Sequence, residues 1–242
     1  MRELIKRTLN SLAKPFGVRL AGSEWGPRGF ASCFARAKSI GFEPATVIDV
    51  GASDGCWTKE CREIFPLAHY ALFDPLPENV AALKALSARH PAIAFWSGAV
   101  GAREERLQIN SHGDQTSFYA SGDFPGAPLD VEVRPLDSFI ESMNIEGPAL
   151  LKADVQGYEL EVLRGAARCL QMTDILMMEV SFRRVYDGSP LAHDVIAELG
   201  EQGFRIYDIC SYVQRPRDKE LTHADIVFVR NGSPLFQHEG WK

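Results

Sequence analysis

A loop bounded by glycines follows a predicted buried strand and favours close approach of the backbone to a ligand. Residues 46–50 form a β-branched run, and the loop at 51–55 begins with Gly51 and ends with Gly55. Both glycines allow a sharp turn. The helix that follows would point its N-terminus at an anionic group such as a carboxylate. The spacing is neither GxGxxG nor a P-loop, and a purely structural loop is the alternative interpretation.

An acidic residue ends the second predicted strand. Asp74 follows the apolar run at 69–73 and precedes Pro75. A carboxylate at this position can accept both hydrogen bonds of a ribose diol. The alternative is a turn residue before proline. Together with the glycine loop, Asp74 indicates a nucleoside-bearing cofactor.

Charged residues end the two strands predicted later in the chain. Lys152 and Asp154 are two apart in one strand and should face the same side. A lysine in an apolar central strand costs free energy unless it is paired. Glu179 ends the next strand, and neighbouring carboxylates raise one another's pKa towards that of a general base. A structural ion pair and a solvated Glu179 are the alternatives. His223, in a loop before the last predicted strand, is a further candidate base.

Strands and helices alternate from residue 45 onward and would position these residues in a parallel sheet. Helices on both faces and right-handed crossovers follow from that alternation. The region at 103–134 lacks a helical period and predicts short antiparallel strands around a mobile loop. The last two strands are joined only by polar residues and should be antiparallel. Strands are predicted at 46–50, 69–74, 93–97, 149–155, 175–180, 204–209 and 224–229, and helices at 30–40, 56–65, 78–89, 136–143, 159–170 and 191–201.

The composition is that of an ordinary globular chain and excludes several classes of protein. With 242 residues, 45% of them hydrophobic, the chain can bury one large core. The net charge of −6 argues against binding to nucleic acid. The five cysteines show no zinc spacing and suit a reducing compartment. No apolar run approaches the roughly 20 residues of a membrane span, and no signal peptide is evident, so a cytoplasmic location is expected. No ligand spacing compels a metal, and no metal site is predicted.

The first 20 residues form a basic amphipathic segment. Its apolar stripe consists of Ile5, Leu9, Leu12 and Phe16. One interpretation is a helix that docks on the main domain. The other is a peripheral contact with an anionic membrane, which would make the protein membrane-associated. We assign residues 1–40 to an N-terminal helical extension and residues 41–242 to the main domain.

Six short motifs follow one another along the chain. They are Val47-Ile48-Asp49-Val50-Gly51-Ala52-x-x-Gly55, Phe73-Asp74-Pro75-x-Pro77-x-Asn79, Leu136-Asp137-Ser138-Phe139, Leu151-Lys152-Ala153-Asp154-Val155-Gln156-Gly157-Tyr158-Glu159, Val162-Leu163-Arg164-Gly165-Ala166 and Asp225-Ile226-Val227-Phe228-Val229. Together these motifs resemble those of the FkbM family of S-adenosylmethionine-dependent methyltransferases. The resemblance runs from about residue 40 to residue 230 in the family's order. Asp74 stands where the family more often has Glu, and Gln156 stands where many members have Glu.

The resemblance implies an α/β fold of the class I methyltransferase (Rossmann-like) type, with a seven-stranded sheet in the order 3-2-1-4-5-7-6. It makes 41–242 a methyltransferase domain and S-adenosyl-L-methionine the cofactor. Asp154 and Glu179 become candidates for proton acceptor or acceptor-substrate ligand, with Lys152 orienting them. The segment at 110–126 would close over the site. The residues expected to contact the cofactor are Asp49, Gly51, Ala52, Ser53, Gly55, Asp74, Pro75, Asn79, Gly98 and Ala99.

The expected reaction is methylation of a hydroxyl oxygen on a small molecule or glycan, often a sugar or a secondary metabolite in this family. Two other functions compete with it. A noncatalytic nucleotide-binding or interaction module would keep the fold. An NAD-dependent oxidoreductase would share Asp74, but the GxGxxG fingerprint is missing. The oligomeric state is not predicted.

Overall fold

A seven-stranded sheet with helices on both faces forms the centre of the protein. The computed structural model describes residues 27–123 and 125–236. The strands are β1 (Thr46–Val50), β2 (His69–Asp74), β3 (Ile93–Ser97), β4 (Ala99–Val100), β5 (Glu105–Ser111), β6 (Ala127–Arg134), β7 (Ala149–Ala153), β8 (Thr173–Ser181), β9 (Phe204–Gln214) and β10 (Leu221–Arg230). The helices are α1 (Gly29–Ser39), α2 (Cys56–Ile64), α3 (Pro77–Arg89), α4 (Glu159–Arg164), α5 (Ala167–Met172) and α6 (Ala192–Glu201).

The large sheet has the predicted strand order. Its strands follow one another as β3-β2-β1-β7-β8-β10-β9. Counted along the chain within this sheet, that order is 3-2-1-4-5-7-6. Strand β10 runs antiparallel to both of its neighbours, and the remaining pairs are parallel. The predicted fold class is therefore confirmed.

Two hydrophobic cores lie on opposite faces of this sheet. Side chains alternate along β1, so Val47 packs into one core and Ile48 into the other. The core that contains Val47 also holds apolar residues of α1, α2 and α3. The core that contains Ile48 holds those of α4, α5 and α6. Strands β1, β2 and β7 are therefore packed on both faces, which fixes the positions of the loops that follow them.

A smaller sheet packs beside the carboxyl ends of the large one. Strands β5 and β6 pair antiparallel, and β4 pairs parallel with β6. The antiparallel strands predicted within 103–134 are therefore confirmed. The chain between β5 and β6 carries the segment at 113–118, which lies over the first of the two cavities described below.

Two predicted helices are wrong in extent. The stretch at 159–170 is not one helix but two, because the helical conformation is interrupted at Gly165, between α4 and α5. A Cβ at Gly165 would lie 2.0 Å from the backbone oxygen of Gly101, so this turn packs directly on the residue that follows β4. The helix predicted at 136–143 is only a 3₁₀ turn at Leu136–Phe139.

Helix α1 packs on the main domain. Phe34 is fully buried, with its ring centroid 6.1 Å from that of Trp57 and 6.2 Å from that of Phe65. Residues 1–26 lie outside the described part of the chain. Both interpretations of the first 20 residues, docking on the main domain and contact with a membrane, therefore stay predictions. Within 27–123 and 125–236, no helix is long and apolar enough to cross a membrane.

Candidate active site

Seven of the ten predicted cofactor residues line a cavity of about 420 Å³ beyond the carboxyl ends of β1, β2 and β7. A volume of this size is typical of small-molecule sites. The segment at 113–118 also lines this cavity. The predicted cofactor residues that line this first cavity are Gly51, Ser53, Asp74, Pro75, Asn79, Gly98 and Ala99.

A second cavity of about 330 Å³ adjoins the first. The two cavities share Gly51, Ser53, Asp154 and Glu179 as common wall residues. Ala52 lines the second cavity, together with the aromatic rings of Phe30 and Trp57 and the charged side chains of Lys152 and Asp225. Asp49 and Gly55 are absent from the lining of both.

Gly51 brings the loops after β1 and β7 into direct contact. Its φ is 77°, in the left-handed region that favours glycine. A Cβ at this position would lie 2.0 Å from the backbone oxygen of Asp154. No other residue type fits this approach without a movement of the backbone.

Asp49 and Lys152 form a buried ion pair beneath the cavities. Asp49 is 0% exposed, and Lys152 is 6% exposed. The Lys152 Nζ lies 3.2 Å from Asp49 Oδ1, 3.8 Å from Asp154 Oδ2 and donates to the Gly51 backbone oxygen at 2.8 Å. The Thr58 hydroxyl donates to Asp49 Oδ2 at 2.6 Å. The predicted proximity of Lys152 and Asp154 is confirmed, but the closer carboxylate is that of Asp49.

The charges of this pair depend on one another. Burial raises the pKa of Asp49, and the ammonium of Lys152 and the Thr58 hydroxyl oppose that shift. Burial alone would lower the pKa of Lys152, but the carboxylates of Asp49 and Asp154 raise it above its ordinary value. Lys152 therefore stays an ammonium, and Asp49 depends on it for compensation of its charge.

Asp74 is oriented by donors from its own loop and from the glycine loop. Its Oδ2 accepts the Ser53 backbone N–H at 2.8 Å, and its Oδ1 accepts the Leu76 N–H at 2.9 Å and Asn79 Nδ2 at 3.0 Å. Burial raises the pKa of this carboxyl. A carboxylate offers about four acceptor positions, so these donors leave room at Oδ2 for one further hydrogen bond.

Gln156 links Asp154 to Glu179. Its Nε2 donates to Asp154 Oδ1 at 3.1 Å and to Glu179 Oε2 at 2.8 Å. Its Oε1 accepts the Tyr186 hydroxyl at 2.9 Å. The expectation that Asp154 and Glu179 lie at adjacent strand ends is met, because β7 and β8 are neighbours in the sheet.

Glu179 is held in its neutral form near pH 7. Burial, followed by the nearby carboxyl groups of Asp154, Glu159 and Asp225, raises the pKa of Glu179 to about 9. Its Oε1 lies 3.6 Å from His223 Nε2. His223 belongs to β10 rather than to a loop before it.

This raised pKa predicts how stability changes with pH. An unfolded Glu179 ionises near its ordinary pKa of 4.5, whereas the folded protein keeps it protonated up to about 9. The folded state therefore binds more protons in that window, and the contribution of Glu179 to stability is lost as the pH rises. Glu179→Gln should be more stable than the wild type at pH 8, by about 1 kcal/mol or more, and the difference should shrink towards pH 4.5. Urea unfolding of both proteins at pH 4.5 and at pH 8 measures this difference in stability.

The matched control for this comparison is Glu201→Gln on the exposed surface of α6. Its effect should be small and independent of pH. A stability difference for Glu179→Gln that stays constant between pH 4.5 and 8 would contradict the neutral form of Glu179.

Sequence reasoning missed two residues of this network, Tyr186 and Gln115. The Tyr186 hydroxyl lies 3.0 Å from Gln115 Oε1, in addition to its contact with Gln156. Both residues lie in loops, where no periodicity marks a residue as buried. The signal that was available is the aromatic residue within the polar stretch after β8.

Among residues 27–123 and 125–236, no group of three or more His, Cys, Asp or Glu side chains is arranged to hold a metal ion. The carboxyl groups at the strand ends are instead engaged by Lys152 and Gln156.

The chain is similar to known methyltransferases. The family profile described as "Methyltransferase FkbM domain" matches residues 49–206, more than half of the chain. The 2-O-methyltransferase NoeI of Sinorhizobium fredii is 26% identical over 160 residues, which cover 59% of this chain and 65% of that protein, just under two thirds of its length. The crystal structure of the methyltransferase FkbM from Methylobacillus flagellatus KT has a TM-score of 0.51 and 16% identity, with coverage of 83% of this chain and 48% of that one.

The structural likeness confirms the fold, and the profile match covers the glycine loop, Asp74, Asp154 and Glu179. The residues around the first cavity fit the methyl donor of such enzymes, since Gly51 opens the loop and Asp74 retains an acceptor position. The chain therefore belongs to the FkbM methyltransferase family, and its cofactor is S-adenosyl-L-methionine.

Proposed function

We propose that this protein transfers the methyl group of S-adenosyl-L-methionine to a hydroxyl oxygen of a sugar or other small molecule. When bound, the cofactor supplies a methyl group on a positively charged sulfonium. The observation that carries the proposal is the position of Asp154 and Glu179, which line both cavities where they meet. A hydroxyl acceptor must lose a proton as its oxygen is methylated, and an acidic side chain at this junction can accept it.

We assign the nucleoside end of the cofactor to the first cavity and its methionine end to the second. Asp74, with one open acceptor position at Oδ2, would accept one ribose hydroxyl rather than two. Pro75, Asn79, Gly98 and Ala99 border the same space. The carboxylate of Asp225, which lines only the second cavity, suits the ammonium of the methionine end.

Within this proposal the charged residues have different roles. Asp154 accepts the proton of the acceptor hydroxyl, since its side chain is 37% exposed at the junction of the cavities. Glu179, neutral near pH 7, donates a hydrogen bond to the acceptor instead of accepting its proton. Lys152 positions Asp154 from below, and Asp49, which lines neither cavity, acts through Lys152.

The acceptor class rests on similarity rather than on the cavities. The relative from Sinorhizobium fredii is named a 2-O-methyltransferase, which supports an oxygen acceptor. A neutral glycoside or a hydroxylated small molecule is the first class to test. A noncatalytic module with the same fold would bind the cofactor and transfer nothing, and an oxidoreductase would bind NAD instead.

The test combines calorimetry with a transfer assay. S-adenosylhomocysteine should bind to the purified protein and NAD should not. Methyl-labelled S-adenosylmethionine should then label at least one member of a panel of methyl glycosides, oligosaccharides and hydroxylated metabolites. Binding of S-adenosylhomocysteine with no transfer across the whole panel would favour the noncatalytic module.

Asp74→Ala is expected to weaken binding of S-adenosylhomocysteine. The substitution removes the acceptor at Oδ2 and frees the Ser53 N–H, which Asp74 holds at 2.8 Å. We expect a loss of about 1–3 kcal/mol in binding free energy, measured by calorimetry. Asp130→Ala, at an exposed position of β6, is the control and should bind with wild-type affinity. Unchanged affinity in Asp74→Ala would remove this residue from the cofactor site.

A further inference from the structure

The side-chain amide of Gln156 has one favourable orientation. Its Nε2 faces the carboxyl groups of Asp154 and Glu179, and its Oε1 faces the Tyr186 hydroxyl. Rotation of the amide by 180° would place an oxygen against two carboxyl groups and lose both donated bonds. Gln156 therefore fixes the spacing of the two acids.

Tyr186 connects this amide to the segment at 113–118 that covers the first cavity. Tyr186 is 3% exposed, and its hydroxyl lies 3.0 Å from Gln115 Oε1 and 3.3 Å from the Gln115 backbone oxygen. Because the single hydroxyl proton goes to Gln156, Gln115 completes a hydrogen bond with its amide turned so that Nε2 donates to the phenol oxygen. A second link joins the same segment directly, because the Ser117 hydroxyl donates to the Gln156 backbone oxygen at 2.6 Å. The covering segment and the two acids are thus held by one hydrogen-bonded network.

The backbone at Gln156 has a conformation that is uncommon for glutamine. Its φ is 51°, in the left-handed region that residues other than glycine and asparagine seldom adopt. Residues in this region persist when surrounding contacts hold them there. The hydrogen bonds from Ser117 and Tyr186 supply such contacts.

We propose that Gln156 and Tyr186 are positioning residues that orient Asp154 and Glu179 towards the acceptor only when the 113–118 segment is closed over the cofactor. The proposal rests on the proposed function. Closure over the cofactor and alignment of the acids become one event, since both depend on the same amide and the same phenol. Side chains held by a connected hydrogen-bond network are fixed more tightly than isolated side chains.

The first test uses Tyr186→Phe and Gln156→Asn. Phenylalanine keeps the ring and removes the hydroxyl, and asparagine keeps the amide and tolerates the left-handed backbone but is too short to span both acids. With the best acceptor of the glycoside panel, kcat should fall on the order of tenfold in each, whereas the Kd for S-adenosylhomocysteine should stay within about threefold. Tyr212→Phe on β9, at a tyrosine that is 51% exposed, is the control.

A second readout needs no acceptor. Amide hydrogen exchange in the 113–118 segment should be faster in Tyr186→Phe than in the wild type, on the order of threefold or more, because the segment loses its link to Tyr186. Exchange in β1 and β7 should not change. Tyr212→Phe should leave both regions as they are.

The pH profile of kcat in Gln156→Glu is a readout that a merely structural role of Gln156 would not change. The isosteric acid can still accept from Tyr186, but it adds a negative charge beside Asp154 and Glu179. We expect the acid limb of the pH profile of kcat to move up by about one pH unit, because a like charge disfavours ionisation. The ionisable groups that face Glu179 are Lys152 from β7, Asp154 from the loop after β7, Glu159 from α4, Tyr186 from the loop after β8, and His223 and Asp225 from β10.

The outcomes separate this inference from the proposed function. A wild-type protein that labels no acceptor in the panel overturns the proposed function. Wild-type transfer with unchanged kcat and unchanged exchange in Tyr186→Phe and Gln156→Asn overturns the positioning role. A parallel fall in kcat, affinity and thermal midpoint, with no shift of the pH profile in Gln156→Glu, also overturns it.

Discussion

Gly51→Ala should reduce the affinity for S-adenosylhomocysteine by on the order of a hundredfold or more, which corresponds to about 3 kcal/mol. The new Cβ would lie 2.0 Å from the backbone oxygen of Asp154. A backbone oxygen cannot swing aside as the tip of a side chain can, so the loop after β1 must move away from β7. That movement displaces Ser53, which lines both cavities and donates to Asp74. Calorimetry on the folded variant measures the loss.

Gly203→Ala separates this clash from the cost of the backbone conformation. Gly203 has a φ of 82°, close to the 77° of Gly51, but a Cβ there would meet no atom of the described residues within 4 Å. Both variants carry the strain of alanine in the left-handed region, about 1–3 kcal/mol. Only Gly51→Ala should lose affinity for S-adenosylhomocysteine. Equal affinity in the two variants would contradict a cofactor site at this loop.

The parallel sheet and most of its strands could be predicted from local patterns in the sequence, whereas the strand order followed only from the resemblance to the FkbM family. Alternation of apolar strands and amphipathic helices identifies a parallel sheet, and the glycines at 51 and 55 mark the turn after its first strand. The break at Gly165 could not be predicted in the same way. It depends on a close approach to Gly101, a contact between distant parts of the chain that no local period records.

The partners of the charged residues were harder to predict than their positions. The two-residue spacing correctly placed Lys152 near Asp154. The closer partner, Asp49, follows from the register of β1 against β7, which sets Asp49 opposite Lys152. Neither the register between two distant strands nor the loop contact of Gln156 with Tyr186 leaves a pattern in the sequence. The sequence therefore indicates which residues carry the chemistry more reliably than it indicates what each one contacts.

Lys152→Met is expected to be the most destabilising single substitution at the site. Asp49 is 0% exposed, and the Lys152 ammonium 3.2 Å from its Oδ1 is its counterion. Removal of one partner from a buried ion pair costs about 3–5 kcal/mol, because the other charge is left uncompensated. Urea unfolding should show this loss. Lys84→Met, at an exposed position of α3, should cost less than about 1 kcal/mol.

The double variant Asp49→Asn/Lys152→Met tests whether the loss of stability in Lys152→Met comes from the uncompensated charge of Asp49. Asparagine keeps the shape of Asp49 and an oxygen that can accept from Thr58, so the double variant buries no uncompensated charge. We expect it to be more stable than Lys152→Met alone by about 1–3 kcal/mol, the range of coupling energies between residues in contact. Additive effects of the two substitutions would contradict the pairing. In that case the cost of Lys152→Met would come from the hydrogen bond to the Gly51 oxygen, and Lys152 would hold the glycine loop rather than the charge of Asp49.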